Sequence, residues 1–289
     1  DNIIANVGEM RNRGIEITIN AVPIQTKDWN WSTSLNFSHN SNKIMKITNE
    51  EFNETTLDQY DPDFPELSQG CTTQRIVEGK PIGSFYMWDW AGYDESGVSI
   101  FYEYDGNGNP VLNEDGTHAT TQDPGQEDRI YQGNAQPKLT MGWNNTITWK
   151  NWDLNIFFTG VFGQKIFNEP RAYYSYVTNI EKGRNIMSSV WEEQNPNDTH
   201  SHYPSQRYLE NGSYFKLSTL TLGYTFRNCF NGWLKDIRLY VSGNNLFTIT
   251  KYKGRDPEIC LGGLTPGHDT RSDHYPRTRQ VLVGVNVNF

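Results

Sequence analysis

Hydrophobic and polar residues alternate one for one along much of the chain. Residues 139–149 place their apolar members on one side: Leu139, Met141, Trp143, Ile147 and Trp149. Residues 152–158 repeat the pattern with Trp152, Leu154, Ile156 and Phe158. The opposite sides carry polar residues, among them Thr140, Asn144, Thr146 and Asn155. A period of two is that of a β-strand, so the chain is predicted to be all-β, with one apolar and one polar face.

This pattern predicts nine antiparallel strands joined by connections that are alternately short and long. The strands cover roughly 8–22, 29–47, 72–78, 82–93, 138–149, 152–163, 213–226, 236–250 and 278–289. The long connections are about 48–71, 94–137, 164–212 and 251–277. Soluble domains rarely carry several long irregular loops, whereas outer-membrane barrels combine short periplasmic turns with long extracellular loops. The connections therefore favour a transmembrane β-barrel over a soluble sandwich.

In such a barrel the apolar residues named above are predicted to contact lipid, and the polar residues to line the lumen. Thr, Asn, Ser and Gly dominate the polar face, which is typical of a wide lumen that holds water or a plug domain. The last strand alternates in the same way and ends on an aromatic residue, with an apolar stripe of Val281, Val283, Val285, Val287 and Phe289. Its direction predicts that Phe289 lies at the periplasmic interface, where aromatic girdles occur.

Composition agrees with this interpretation. The mean hydropathy is −0.72, and the sequence contains no long apolar run of the kind that forms a transmembrane helix. Only alternate residues of a barrel strand meet lipid, so a polar average is compatible with a membrane barrel. Nine Trp and sixteen Tyr suit aromatic girdles and also a carbohydrate-handling β-protein. A net charge of −9 argues against nucleic acid as a partner.

Cysteines and local motifs offer few candidates for chemistry. The three cysteines show no CxxC spacing, and they are either unpaired or include a Cys71–Cys260 disulfide. The motif "DGNGNP" (105–110) resembles the start of a calcium loop, but a turn is favoured because Gly116 stands where the closing Glu would be. An acidic cluster is expected to be a solvated loop: Asp61, Asp63 and Glu66. No metal or cofactor is predicted.

The long loops hold the aromatic residues that are candidates for substrate contact. They are Tyr173, Tyr174, Tyr176, Trp191 and Tyr203. Aromatic rings bind sugar faces and peptide side chains alike, and packing within the loops is the ordinary alternative. Asp198, Ser201 and His202 lie close in sequence, but a catalytic triad is defined by spatial geometry. Because no catalytic motif is present, an enzyme is not predicted.

Six segments resemble the SusC/RagA-type TonB-dependent transporters of Gram-negative outer membranes. They are "VGEMRNRGIEITIN" (7–20), "EGKPIGSFYMWDWAGYD" (78–94), residues 128–163, "ENGSYFKLSTLTLGYTF" (210–226), residues 238–259 and "PRTRQVLVGVNVNF" (276–289). The family's barrel has 22 strands and a plugged lumen. The resemblance implies that residues 1–289 are the C-terminal part of that barrel, with about nine strands. The plug and the N-terminal segments would then lie outside this chain.

The resemblance also implies a function and a set of partners. The expected function is import of oligosaccharides or peptides across the outer membrane, energised through TonB and assisted by a SusD-like surface lipoprotein. The remaining partners would be the rest of the barrel, the plug and outer-membrane lipid. The barrel assembly machinery would read the terminal stripe that ends at Phe289. The alternatives are a non-transport barrel, such as an adhesin or a barrel enzyme, and a soluble β-rich carbohydrate-binding protein.

Overall fold

The computed structural model describes residues 8–47, 56–59, 72–193, 198–229, 234–259, 262–270 and 275–289. The predicted all-β fold is confirmed. In chain order the strands are β1 (Glu9–Gln25), β2 (Trp29–Lys46), β3 (Thr56–Gln59), β4 (Gln74–Val77), β5 (Ser84–Trp88), β6 (Trp90–Tyr93), β7 (Ser99–Tyr102), β8 (Thr120–Thr121), β9 (Arg129–Asn134), β10 (Leu139–Trp149), β11 (Trp152–Phe162), β12 (Lys165–Asn168), β13 (Leu209–Asn211), β14 (Tyr214–Cys229), β15 (Leu234–Thr250), β16 (His268–Asp269) and β17 (Gln280–Asn288). The helices are α1 (Glu169–Tyr174) and α2 (Ser189–Glu193), and Val177–Asn179 and Gln206–Tyr208 form 3₁₀ turns. No helix among these residues is long and apolar enough to cross a membrane.

The long strands form one antiparallel seven-stranded sheet in the order β1-β2-β10-β11-β14-β15-β17. Short turns join β1 to β2 and β10 to β11, and the second turn contains Lys150 with a φ of 53°. Long connections join β2 to β10, β11 to β14 and β15 to β17. Because the strands alternate in direction, the short turns lie at one end of the sheet and the long loops at the other.

The predicted strand count of nine is wrong for this sheet. The predicted strands 72–78 and 82–93 lie instead in two small sheets, β3-β4-β5-β9 and β6-β7-β8. These strands have four or five residues, whereas a strand that spans a bilayer needs about 9–11. All five residues of β5 are buried, so this strand is covered on both faces. Because an even number of strands leaves the sheet, β17 still ends at the short-turn end of the sheet.

The register places the apolar residues of neighbouring strands on one face. Trp149 pairs with Trp29 and with Trp152, and Trp152 pairs with Tyr224, which gives a row of aromatic rings near the short turns. Within this row the ring centroids of Trp29 and Trp149 are 5.6 Å apart, and those of Trp152 and Tyr224 are 4.8 Å apart. Further along the sheet, the stripe of β17 continues this face through Val283, which pairs with Val241.

The long loops pack into a layer with its own hydrophobic cores. One core joins β5, β12, α1 and the segment before β13, and it consists of Phe85, Met87, Ala135, Phe167, Ala172, Tyr173, Tyr208 and Leu209. A second core contains Trp88 and Phe101, with Trp90 and Tyr203 packed against them. These cores hold the loops in fixed positions beside the sheet.

Candidate substrate site at the long-loop end

The five aromatic residues predicted to contact a substrate differ in exposure. Tyr173 is buried in the first loop core, where its hydroxyl accepts a hydrogen bond from Arg184 at 2.6 Å. Tyr203 stacks on Trp88 with a centroid distance of 5.1 Å. Tyr176 lies with its ring centroid 4.0 Å from that of His202. These three rings pack within the loops.

Tyr174 and Trp191 are the two aromatic candidates with large exposed surfaces, at 37% and 58%. Tyr174 ends α1 and makes an edge contact with Tyr173 at 5.2 Å. Its carbonyl accepts a hydrogen bond from the amide of Met187, which ties α1 to the segment that leads into α2. Contact of the five aromatic residues with a substrate stays a prediction.

Tyr174 lines a cavity of about 540 Å³ between the β11–β14 and β15–β17 loops. Helix α1 forms one wall. Asn168 caps this helix by accepting a hydrogen bond from the Arg171 amide at 3.0 Å, and Pro170 lies in its first turn. The guanidinium of Arg171 bonds to Glu210 at 3.1 Å and to the Arg207 carbonyl at 3.0 Å. The α1 wall therefore carries an ion-paired guanidinium beside apolar side chains.

The opposite wall consists of Lys253, Gly254, Arg255 and Asp269. Asp269 is fully buried and accepts a hydrogen bond from the Tyr252 hydroxyl at 2.5 Å. Burial, and then the neighbouring Asp269 carboxylate, raise the pKa of Tyr252, so its hydroxyl keeps the proton that it donates. Arg255 bonds to the Thr270 carbonyl at 3.0 Å.

A second cavity, of about 250 Å³, adjoins the first, because Gly254 and Arg255 line both. Lys216 of β14 lines it and forms an ion pair with Glu258. Glu258 also pairs with Arg277 at 3.1 Å. The pair Lys216–Glu258 fixes the β15–β17 loop to β14. The two cavities lie side by side at the long-loop end.

The polar face of the sheet is held together by side-chain hydrogen bonds between strands. The amide of Asn155 donates to Asn144 at 3.0 Å and to Thr146 at 3.2 Å. Thr221 and Ser242 are bonded at 2.8 Å. Asn144, Thr146 and Asn155, which were predicted to line a lumen, therefore use their side chains in hydrogen bonds between strands.

An ion pair crosses this polar face near the short turns. Arg238 of β15 donates to Asp153 of β11 through two hydrogen bonds of 2.8 and 2.5 Å. Strand β14 lies between them and has Gly223 at this position. A Cβ at Gly223 would lie 2.5 Å from the Asp153 carboxylate and 2.7 Å from the guanidinium of Arg238. Glycine therefore leaves the space that the ion pair needs.

Other sequence candidates have structural roles. The carboxylate of Asp105 accepts hydrogen bonds from the amides of Asn107 and Asn109, as a turn requires. The side-chain hydrogen bond from Asn109 is the main cause that lowers the pKa of Asp105. Within the described part of the chain, no group of three or more His, Cys, Asp or Glu residues could hold a metal ion. The acidic cluster and the Cys71–Cys260 pair lie outside the described residues.

Asp198, Ser201 and His202 are close in sequence, but the hydrogen bonds of Asp198 and Ser201 are not those of a catalytic triad. The carboxylate of Asp198 accepts hydrogen bonds from Ser99 at 2.7 Å and from the His200 amide at 3.0 Å. Ser201 donates to the Asp198 carbonyl at 3.1 Å. Asp198 therefore anchors this loop to β7.

Two features were missed in the sequence. The first is the cationic lining of the cavities, since Arg171 and Arg255 come from loops far apart in the chain. The second is Asn145, which shares the apolar face with Trp143 and Ile147 and is buried there. The indole of Trp31 donates to Asn145 at 3.1 Å, and that of Trp143 donates to Thr33 at 3.0 Å. The sequence did contain a signal for this buried polar contact, because Asn145 interrupts the apolar positions of β10.

Comparison with known proteins identifies relatives over nearly the whole chain. No protein-family model matches it. TonB-dependent receptor P3 of Formosa agariphila is 33% identical over 99% of this chain, which covers 29% of that protein. TonB-dependent receptor SusC of Bacteroides thetaiotaomicron is 29% identical over 98% of this chain, which covers 27% of that protein.

A solved structure, that of the RagAB peptide transporter, matches with a TM-score of 0.79 and 25% sequence identity. The match covers 98% of this chain and 30% of that chain. The sheet and these similarities fit a segment of a TonB-dependent receptor, and the relatives named here are receptors and a transporter rather than enzymes. The matches to SusC and to the RagAB transporter fit a segment of the SusC/RagA type, so the resemblance predicted from the sequence motifs is confirmed. The chain spans less than a third of the length of these relatives.

Proposed function

We propose that this chain forms part of the wall and the outer loops of a barrel that imports nutrients, either oligosaccharides or peptides, across the outer membrane of a Gram-negative bacterium. The observation that carries the proposal is the seven-stranded sheet, which has one apolar face, one hydrogen-bonded polar face and all long loops at one end. In a barrel the apolar face meets lipid and the polar face lines the lumen. The similarity to TonB-dependent receptors and to a peptide transporter supports import.

The proposal includes partners outside the chain. In the part of the sheet that the structure describes, β1 pairs only with β2 and β17 only with β15. Open strand edges are unfavourable in lipid, so further strands of the same barrel have to pair with them. We assign the present chain to the C-terminal portion of that barrel, with a plug in the lumen, a SusD-like lipoprotein at the loop end and TonB as the source of energy.

The assignment of the two sheet faces to lipid and lumen, and of the long loops to the cell surface, can be tested directly. Single cysteines at Ile156 and Asn155 of the full-length protein should be labelled differently, the first by a lipid-soluble probe and the second by an aqueous probe. Epitope tags after Asn113 and Lys182 should be accessible on whole cells, whereas a tag after Lys150 should not be. Equal labelling of both cysteines would contradict the barrel, and the reverse tag pattern would invert the direction of every strand.

Transport is tested by deleting the gene for the full-length protein and complementing it in cells with and without TonB. Uptake of labelled oligosaccharides or peptides should require both proteins. The matched control is a strain that carries the barrel with the Lys27→Gln change, which alters an exposed cation in a short turn and should import normally. Uptake that persists without TonB would contradict energised import, and a barrel that carries neither class of solute would contradict the importer.

A further inference from the structure

The apolar face of strands β1 and β2 carries a cluster of cations at its long-loop end. The pairing of the two strands runs without a register shift over residues 10–21 of β1. Because side chains alternate along a strand, Arg11 and Arg13 lie on the face that carries the exposed isoleucines of β1. In β2, Lys43 lies opposite Arg11 on this face, and Ser41 lies opposite Arg13. We call Arg11, Arg13 and Lys43 the basic patch.

The cations of the basic patch are free of acidic partners. Their side chains are exposed and form no ion pair with the residues that the structure describes. Glu16 lies on the opposite face of β1, and Glu9 lies beyond a bulge, where its register partner is Lys46. Like charges at directly opposite positions, such as Arg11 and Lys43, destabilise a sheet. A bound anion would therefore offset a repulsion between the two strands.

An apolar band on the same face runs from the basic patch toward the short turns. Ile15, Ile17 and Ile19 are 65%, 52% and 52% exposed, and Ile24 continues the band near the end of β1. From Ile15 to Ile24 the strand rises about 30 Å. At the tilt of roughly 35–45° usual in outer-membrane barrels, this rise crosses about 21–25 Å, which is close to the height of their apolar band. The basic patch then lies just beyond the hydrocarbon, at the level of the lipid headgroups.

Phosphate is the anion that fits this arrangement. Directly opposite residues of a sheet are about 5 Å apart and alternate residues of a strand about 7 Å apart, so one phosphate can contact more than one cation. A guanidinium also matches two phosphate oxygens with two parallel hydrogen bonds. A soluble anion would leave the isoleucines exposed, whereas a phosphorylated lipid can place its acyl chains on them.

We propose that the basic patch binds the phosphate of a phosphorylated lipid in the outer leaflet, whose acyl chains lie along the isoleucines of β1. The inference rests on the proposed function, because it takes the long-loop end of the sheet as the outer end of a membrane barrel. It concerns the lipid around the wall and does not involve the transported solute. The bound lipid would fix the height of the barrel in the membrane at β1 and β2.

The test uses the full-length protein purified in detergent, in buffer without divalent cations, and two forms of one fluorescent lipid. The first form is lipid A, and the second is the same lipid after a phosphatase has removed its phosphates. Lipid A should bind more tightly, and the difference should shrink as salt is raised. The double change Arg11→Gln and Arg13→Gln should weaken lipid A binding by about 3- to 10-fold, as expected for two partly exposed charge pairs. It should leave binding of the dephosphorylated lipid unchanged.

The matched control is the double change Lys27→Gln and Lys150→Gln, which removes two exposed cations at the short-turn end and should leave lipid A binding unchanged. The double change Arg11→Lys and Arg13→Lys keeps both charges and should retain most of the affinity. Unboiled gels show whether each barrel is folded.

Equal affinity for the two lipids, or a folded Arg11→Gln and Arg13→Gln protein with unchanged affinity, would overturn the proposal. An equal loss in the short-turn control would overturn the location of the site, and displacement of lipid A by an equal concentration of inorganic phosphate would overturn the lipid assignment. Phosphate-dependent lipid binding without import would contradict only the proposed import function. Normal import by a protein that binds both lipids equally would contradict only the lipid site.

Discussion

Replacing Trp31 by phenylalanine is expected to destabilise the folded barrel, because the change removes the hydrogen-bond donor that satisfies Asn145 on the apolar face. The indole nitrogen of Trp31 lies 3.1 Å from the amide oxygen of Asn145. Asn145 is only 6% exposed and has Ile156 as its partner on β11. If this face meets lipid, no water is available to replace the lost donor.

The expected cost follows from leaving a buried acceptor without its partner, which is about 1–3 kcal/mol. Asn145→Leu removes the amide itself and adds apolar surface, so its cost should be smaller. Once Asn145 is leucine, Trp31→Phe no longer leaves an acceptor unsatisfied. The double variant should therefore be more stable than the sum of the single changes predicts, with a coupling energy of about 1–2 kcal/mol.

The measurement is urea unfolding of the full-length barrel in phospholipid vesicles, followed by the band shift of unboiled samples on gels. Trp149→Phe is the matched control, because it makes the same change in ring size at the aromatic row near the short turns, where no hydrogen bond of its indole is seen among the described residues. If Trp31→Phe costs no more than the control and the cycle shows no coupling, then water reaches Asn145 and this face does not meet lipid.

Three further predictions concern other parts of the chain. Gly223→Ala should displace the ion pair of Asp153 and Arg238, because a Cβ would lie 2.5 Å from the carboxylate, and should lower the urea midpoint of the barrel in the same assay. Deletion of Phe289 should sharply reduce the amount of assembled protein in the outer membrane, while the barrel that does assemble melts normally; normal abundance with a lowered melting temperature would instead indicate an interfacial anchor. The lowered pKa of Asp105 means that its turn is stabilised above the ordinary carboxyl pKa of 3.8 and loses this contribution as the pH falls through the lower folded-state value. The protection factors of the amides around this turn, which correct exchange rates for the intrinsic effect of pH, should therefore fall only below pH 3.8. Unchanged protection there, or a similar pH profile in Asp105→Asn, would contradict the assignment.

The long strands could be predicted from the sequence because their alternation continues over the whole length that a membrane strand requires. Strands β10 and β11 begin and end within a residue of the predicted limits. The short strands β4 and β5 were also recognised as strands, but their partners were not. Local alternation gives the conformation of a segment, whereas pairing depends on residues that are distant in the chain.

The candidate site was predicted only in part, for the same reason. Tyr173 and Tyr174 are neighbours with the same chemistry, yet the first is buried in the loop core and the second lines the cavity. Their difference arises from how α1 packs, which no local pattern encodes. Arg171 and Lys253 line the same cavity because two loops that are distant in the chain fold against each other, and sequence spacing does not reveal this proximity.

Gly223 gives this part of the sheet resistance to sliding. Strand β14 can keep its apolar face on the same side only if it shifts by an even number of residues. A shift of two would bring Thr221 or Thr225 to the position of the glycine, and its side chain would fill the gap that the Asp153–Arg238 pair crosses. A mechanical load along the strands must therefore break two charge-assisted hydrogen bonds before β14 can shear past β11 and β15. The ion pair therefore links β11 to β15 across the intervening strand β14.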